Sequence, residues 1–576
     1  MSQPKTPTTA AAPPKRRARW LIAVALIPAG WLAWSKATRV PSPRAVATEY
    51  RAGLGGASRG SELLFRDATQ LLGIESVHDN DARGKYWLPE EMGPGVGLLD
   101  YDGDGDLDLF VAGGGSLTGE RATQPCQLWR NDGGVFVEVA ASVGAAVPGH
   151  AYGVACADVD ADGDVDLYLT RLGSDVYLRN EGGRFVDATL EAGLGCEEFG
   201  ASAAFFDYDG DGWLDLYVTN YVEWAAEKEQ GCFLSGVPDY CDPTSYEAPA
   251  QDRLYRNLDG ERFEDVTEAA GIQGHLGNGL GVLAQDFDGD GWTDLYVAND
   301  STPAFLWHNR GDGTFEEAAL RMGCAYDGAG VAIAGMGVAC EDLNADGWAD
   351  LLVTNIHDQS HLVLRGAGRQ FVEATRTFGV QGWSMPSTGF GVAVFDQDHD
   401  GEWDLYVANG GVNLTPARID DPDPYTETDQ FARLVDGKFV DASEGAGVSE
   451  GGSGRGLAMG DLDQDGDIDL VVTNNGSRLQ VLQNLHDGEG AWLMVDVRNA
   501  AGGPELGARI ELRSGETTRT RTVRAQSSYL SSSDPRVHFG LGDVERVDEL
   551  RVHFPGGSVQ VLEDVEVDQV VEVRRE

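Results

Sequence analysis

Residues 207–218 read Asp207-Tyr208-Asp209-Gly210-Asp211-Gly212-Trp213-Leu214-Asp215-Leu216-Tyr217-Val218. Carboxylates stand at positions one, three, five and nine of this stretch. Glycine stands at position six, and strand-forming residues follow at once. The pattern Asp-x-[Asp/Asn]-x-Asp-Gly-x-x-Asp starts at Asp100, Asp158, Asp207, Asp286, Asp342, Asp396 and Asp461, seven copies in all. Neighbouring starts are on average about 60 residues apart, the length of a four-stranded repeat with variable loops. One such sheet cannot bury its apolar face alone, so the repeat predicts an array of packed sheets.

The same spacing sets the chemistry. Alternate carboxylates on a tight glycine turn form a hard-oxygen cage for Ca²⁺, with a backbone carbonyl at position seven and water completing the shell. The candidate ligands are Asp100, Asp102, Asp104 and Asp108; Asp158, Asp160, Asp162 and Asp166; Asp207, Asp209, Asp211 and Asp215; Asp286, Asp288, Asp290 and Asp294; Asp342, Asn344, Asp346 and Asp350; Asp396, Asp398, Asp400 and Asp404; and Asp461, Asp463, Asp465 and Asp469. Up to seven structural Ca²⁺ ions are expected, with a weaker site where Asn344 replaces a carboxylate. An EF-hand is excluded, because position twelve holds Val111 in the first loop and Val218 in the third rather than a bidentate Glu. Mg²⁺ demands a tighter octahedron and fits less well. For any single copy the bland alternative is an Asx turn capping a hairpin. Seven unneutralised carboxylate clusters would repel themselves, and that favours the metal.

A second unit alternates with the loops. Strands beginning at Phe65, Phe136, Phe185, Phe263, Phe315, Phe371 and Phe439 each precede or follow an Asp loop in strict alternation. The chain opens on a Phe unit and its last Asp loop has none after it. The expectation is a ring in which the strand at Phe65 completes the sheet that holds Asp461, so that no edge is left open. The predicted fold is all-β: a seven-bladed β-propeller over 61–485, then a small β-sandwich over 486–576. Residues 222–252 and 411–430 are insertions within the array.

Ahead of the array, Lys15, Arg16, Arg17 and Arg19 precede an apolar run from Trp20 to Trp34. Fifteen helical residues reach only about 22 Å, short of a ~30 Å hydrocarbon core. Residues 1–36 therefore read as a signal peptide, with membrane anchor as the alternative, and 37–60 as a linker. Export permits disulfides, and Cys232 and Cys241, nine apart in an insertion, are the expected pair. The other five of the seven cysteines offer no readable pairing. A formal charge of −51 argues against nucleic acid and anionic membrane surfaces as partners.

Several tempting features have plainer readings. Arg310-Gly311-Asp312 falls in the repeat's own hairpin turn. His357, His361 and His399 read as surface or packing residues, and His538 as a turn residue making a structural hydrogen bond. No nucleophile elbow, phosphate loop or metalloprotease helix is present.

The loops with their trailing strands resemble FG-GAP/VCBS repeats, as in the integrin α-subunit propeller. Trp224, Cys232, Tyr240-Cys241, Pro243, Tyr246 and Leu254-Tyr255-Arg256-Asn257 resemble the bacterial members of the cartilage acidic protein family. Gly507-Ala508-Arg509-Ile510, Tyr529-Leu530-Ser531-Ser532-Ser533, His538-Phe539-Gly540-Leu541-Gly542 and Phe554-Pro555-Gly556-Gly557 are similar to the ASPIC/UnbV domain, with Phe554 where that family usually has Trp. The resemblance implies a Ca²⁺-binding propeller outside the cytoplasm with no established enzymatic activity. The expected function is a protein- or glycan-binding scaffold at the cell surface or in the periplasm, monomeric, with no catalytic residues. The alternatives are a hydrolase or lyase with a site in the propeller channel, and a Ca²⁺-dependent adhesin.

Overall fold

A computed structural model describes residues 63–576 apart from 120, 450, 487 and 489. The expected signal or anchor (1–36) and linker (37–60) lie outside the described residues. No described helix is long and apolar enough to cross a membrane.

The fold is all-β. In the repeat quoted above, Gly200–Phe206 pairs antiparallel with Asp215–Asn220 across the Asp loop; Arg253–Asn257 and Phe263–Asp265 follow in order. Among the described residues seven sheets repeat this four-strand order, one for each Asp loop. Each is named here by its first aspartate. In the Asp461 sheet the fourth strand is Phe65–Asp67, from the other end of the array, paired with Gln480–Asn484 in the register Phe65↔Asn484. This is the pairing expected from the offset between Phe units and Asp loops.

The first strands of the sheets lie side by side in chain order, and Gly454–Gly460 of the Asp461 sheet lies against Val96–Leu99 of the Asp100 sheet. Threonines at the end of the second strand tie neighbours together. Thr219 donates to the Leu280 carbonyl at 2.9 Å, Thr354 to Phe390 at 2.7 Å and Thr473 to Pro94 at 2.5 Å. The last of these joins the seventh sheet to the first. Crowding where the first strands converge explains their glycine and alanine content. A methyl group on Gly281 would collide with the Met336 carbonyl of the next sheet.

The C-terminal segment forms two sheets. One holds Ala491–Arg498 between Val537–Gly542 and Gln569–Arg574; the other orders Thr517–Thr522, Arg509–Ser514, Arg546–His553 and Val559–Glu566. Leu493, Val495, Phe539 and Val573 of the first share one buried cluster with Ile510, Leu512, Leu550 and Val552 of the second. Between Thr522 and Val537, however, the chain leaves these sheets and enters the centre of the array. Ser532 pairs in parallel with Gly97. Ser528 N–H donates to the Val338 carbonyl at 2.7 Å, and the Ser528 carbonyl accepts Val338 N–H at 3.0 Å. Val154 N–H donates to the Leu530 carbonyl at 3.0 Å, Cys156 N–H to Ser532 Oγ at 3.1 Å, and Val392 N–H to Ser528 Oγ at 2.9 Å. Asp534 N–H donates to the Met459 carbonyl at 3.0 Å. A segment read as part of a self-contained module thus fills the axis on which the seven first strands converge.

Candidate metal centres and the opposite face

Each Asp loop is built by its own backbone. The position-six glycine takes φ between +87° and +102° in all seven copies, a conformation that a side chain would strain. The turn lets the position-one carboxylate accept several amides. Asp100 takes those of Gly103 (2.9 Å), Asp104 (3.1 Å) and Gly105 (3.0 Å). Asp207, Asp286, Asp342, Asp396 and Asp461 likewise accept the position-six amide, at 2.8–3.0 Å.

The position-nine aspartate is buried at the start of the second strand. Asp215 accepts Tyr208 N–H at 3.0 Å and Asn257 N–H at 2.8 Å, which fixes both oxygens. Three-carboxylate groups with ligand atoms within 4.8 Å form from Asp100, Asp102 and Asp108, from Asp158, Asp160 and Asp162, from Asp207, Asp209 and Asp215, and from Asp286, Asp288 and Asp290. In the fourth loop His308, which the sequence reading did not single out, joins Asp288 and Asp294; its Nδ1 lies 3.1 Å from Asp294 Oδ1. Asp211, Asp346 and Asp398 are paired with Arg256 (3.0 Å), Arg365 (3.2 Å) and Arg433 (2.9 Å).

These carboxylates are electrostatically costly as they stand. Burial, with neighbouring aspartates adding to it, pushes Asp108 and Asp215 up to about 8. Asp350 and Asp396 rise to about 7 for the same reason. A divalent cation removes that cost, and the donor set of carboxylates, carbonyls and one amide is chemically suited to Ca²⁺.

A third ring of residues escaped the sequence reading. An asparagine at the end of the third strand straps adjacent loops together. Asn180 Nδ2 donates to the Tyr101 carbonyl at 2.8 Å, Asn257 to Val159 at 3.1 Å, Asn309 to Tyr208 at 2.8 Å and Asn484 to Gln397 at 3.0 Å. Asn131 reaches back to Leu462 at 3.0 Å and links the first loop to the last. The signal was present in the recurrent Arg/His/Gln-Asn pair of the third strand, but its partner lies in another repeat.

The C-terminal sheets rest on the loop-bearing rim. Asn499 Nδ2 donates to Asp158 Oδ2 at 2.8 Å, and a methyl group on Gly540 would collide with Asp396. Here the expectation for His538 fails. It lies within the strand Val537–Gly542, not in a turn, and neither ring nitrogen has a hydrogen-bond partner. His361 and His399 are buried packing residues rather than surface ones.

The other end of the array carries the insertions, and they meet each other. Leu414 N–H and the Tyr425 hydroxyl both donate to Asp239, each at 2.9 Å. The Tyr240 ring packs on Tyr425 and on Tyr86, each at 5.4 Å, and Trp87 packs on Trp224 at 5.7 Å. Cys232 and Cys241 are disulfide-bonded, with Cα atoms 5.3 Å apart. The remaining five cysteines are buried thiols. Beneath this lid Arg455 is fully buried. It donates to the carbonyls of Glu91 (2.7 Å), Gly454 (2.9 Å), Gly410 (3.2 Å) and Gly411 (3.3 Å), and it stacks on Phe390 at 3.9 Å. The adjoining cavity, bordered by Glu91, Tyr221, Asp300 and Tyr529, measures about 30 Å³, room for one water rather than an organic ligand. Phe233 on the lid is 65% exposed. Arg310-Gly311-Asp312 is the hairpin turn between Phe305–Asn309 and Phe315–Glu317, as its context predicted.

Comparison with known proteins agrees with this architecture. A model described as FG-GAP-like repeat matches residues 100–169, 158–218, 286–336 and 342–407, and one described as ASPIC and UnbV matches 499–576. Cartilage acidic protein 1 from Xenopus tropicalis is 27% identical over 541 residues, covering 90% of this chain and 78% of that protein. The chain is similar to the cartilage acidic proteins. The Homo sapiens protein of that name is 29% identical over 52% of this chain and 44% of its own length; the Mus musculus protein is 27% identical over 54% and 47%. The match thus spans less than half of the human and mouse relatives. Among solved structures, an Agrocybe aegerita lectin specific for non-reducing terminal N-acetylglucosamine is 16% identical, with a TM-score of 0.33 over 63% of this chain and 88% of that one. A Bacillus licheniformis rhamnogalacturonan lyase is 11% identical, with a TM-score of 0.37 over 68% and 71%.

Proposed function

We propose that this cartilage acidic protein relative is an exported, Ca²⁺-stabilised scaffold that binds a protein or glycan through the lid face of a closed seven-bladed propeller. In this reading the array spans 61–485 and the C-terminal module 486–576. The ring is supported by Phe65–Asp67 pairing into the Asp461 sheet and by the Asn131 and Thr473 bonds between its ends. The Ca²⁺ ligands are the carboxylates and the one amide named from the sequence, with His308 beside the fourth loop. Each ion would pin the turn between two strands.

The observation that carries the binding reading is the division of labour between the two faces. One rim is occupied by Asp loops and the C-terminal sheets. The other gathers Tyr86, Trp87, Trp224, Phe233, Tyr246 and Tyr425 from segments distant in sequence. Aromatic side chains with a polar handle, held rigid by one another and by a disulfide, suit recognition of sugar faces and of protein surfaces. The hydrolase or lyase reading needs an open channel, and residues 526–534 occupy it.

The test is a glycan and protein binding screen of the Ca²⁺-loaded protein. Binding should fall at least about tenfold in Trp224→Ala and Phe233→Ala and be unaffected by changes on the exposed face of the C-terminal sheets. Binding that follows the latter face instead, or that survives both lid variants, overturns the reading.

A further inference from the structure

The C-terminal module does not sit flush on the array. Between it and the Asp342, Asp396 and Asp461 sheets lies a cavity of about 80 Å³, bordered by Glu341, Trp403, Arg521, Arg524, Arg536 and His538 among others. Two of the arginines are matched by carboxylates: Arg524 pairs with Glu341, and Arg536 with Asp534 at 2.8 Å. Arg521 has neither an ion pair nor a side-chain hydrogen bond among the described residues. Its Cζ lies 4.1 Å from the centre of the Trp403 ring on the array and 4.6 Å from that of Phe539 on the module. Asp396 acts on it only from beyond ion-pair distance, and Asp396 Oδ2 accepts Gly401 N–H at 2.8 Å. His538, 6% exposed, also borders the cavity, and neither of its ring nitrogens is hydrogen-bonded.

We propose that this cavity binds a small monocarboxylate, held on the guanidinium edge of Arg521 with His538 beside it. Aromatic rings packed on a guanidinium cover its faces and leave its in-plane N–H groups free. A planar carboxylate meets that edge with two parallel hydrogen bonds, the fork geometry for which arginine is suited. Its remaining lone pairs supply an acceptor for an imidazole N–H, which His538 lacks. Buried polar groups are nearly always paired, and a guanidinium withdrawn from bulk water without a counter-charge is costly. Water satisfies the hydrogen bonds of such a group but not its charge; an anion does both.

Charge and size narrow the ligand. Three guanidinium groups border the cavity against the two carboxylates of Glu341 and Asp534, and burial keeps His538 neutral by holding it well below the ordinary histidine value. The excess is one positive charge, which a monoanion balances and a phosphate dianion overshoots. One water position takes roughly 10–15 Å³ of such space, so the cavity holds about five to eight water-sized groups. Propionate and its hydroxylated relatives are of that size, and a hexuronic acid is too large. Phe395 and Ile468, both buried on the array side, give a short alkyl chain an apolar wall. The site is separate in kind from the Asp loops, because it offers donors where they offer acceptors.

The experiment is calorimetric titration of the full chain under saturating Ca²⁺ with sodium propionate, octanoate, phosphate and chloride at matched ionic strength. The expected result is one equivalent of propionate bound, with the other three anions weaker by at least about tenfold. Arg521→Lys keeps the charge and the alkyl stem but loses the planar fork, and should lower propionate affinity by at least about tenfold while leaving the melting temperature without carboxylate little changed. Arg536→Lys keeps its pair with Asp534 and should leave propionate affinity within about threefold of wild type. The comparison of anions on wild type stands by itself should lysine at 521 disturb the seam. Propionate affinity in wild type no greater than in Arg521→Lys overturns the proposal. So does phosphate or chloride binding as tightly as propionate, which describes a general anion patch, or octanoate doing so, which describes an apolar groove.

Discussion

Replacing Tyr529 by alanine tests whether the segment through the axis is structural. Tyr529 is fully buried; its ring meets Phe390 edge-on at 4.9 Å, and its hydroxyl donates to the Met92 carbonyl at 3.2 Å. Truncating a buried aromatic to alanine costs about 3–5 kcal/mol, through lost transfer energy and the cavity left behind. The ring pair supplies about 0.5–1.5 kcal/mol of that and the hydroxyl about 1 kcal/mol. Unfolding entropy of about 2.1 cal/mol/K per residue over roughly 500 residues gives ~1 kcal/mol/K, so Tyr529→Ala should lower Tm by about 3–5 °C and Tyr529→Phe by about 1 °C. Scanning calorimetry of Ca²⁺-saturated protein reads both. An alanine variant melting within about 1 °C of wild type, or phenylalanine costing as much as alanine, refutes the idea that the axial segment is part of the core.

Other perturbations reach the remaining parts of the molecule. In Ca²⁺-free buffer the buried aspartates have folded-state pKa values raised above the ordinary carboxylate value, Asp108 and Asp215 to about 8. The folded state therefore holds more protons than the unfolded chain between about pH 4 and 8, and stability falls as pH rises through that window. The Ca²⁺-free protein should melt higher at about pH 5.5 than at about pH 8, with the order reversed under saturating Ca²⁺ as protons compete for the ligands; a Ca²⁺-free Tm that climbs with pH contradicts this. Arg455→Met strips the donors from four buried carbonyls and should cost about 3 kcal/mol or more, read as a lower urea midpoint at constant slope. Asn131→Ala removes the strap between the first and last loops and should cost about 1–3 kcal/mol, with new proteolytic cleavage near Phe65; a cleavage pattern identical to wild type would show that the strap is dispensable.

The repeat and its carboxylate-lined turn could be read in one dimension because their causes are local. A glycine at φ near +90°, carboxylates on alternate residues and an immediate strand occupy nine consecutive positions, so spacing alone specifies the turn. The offset of one Phe unit against the Asp loops similarly announces the pairing of Phe65–Asp67 with Gln480–Asn484, since an unpaired edge strand is costly. The Cys232–Cys241 bond was legible for the same reason of short separation. What stayed hidden depends on partners far away in sequence. Tyr529-Leu530-Ser531-Ser532-Ser533 looks like an ordinary polar turn, yet its small side chains and free amides are what a narrow axis lined by unsatisfied strand edges can accept. The asparagine straps recur in the sequence but reach partners in other repeats, and the buried Arg455 is a single residue without periodicity. Their roles exist only once the chain has brought together groups hundreds of residues apart. Sequence determined the repeating unit, because backbone conformation is a local matter; tertiary structure decided what fills the centre and what the two rims face, because burial and hydrogen-bond satisfaction are settled between elements.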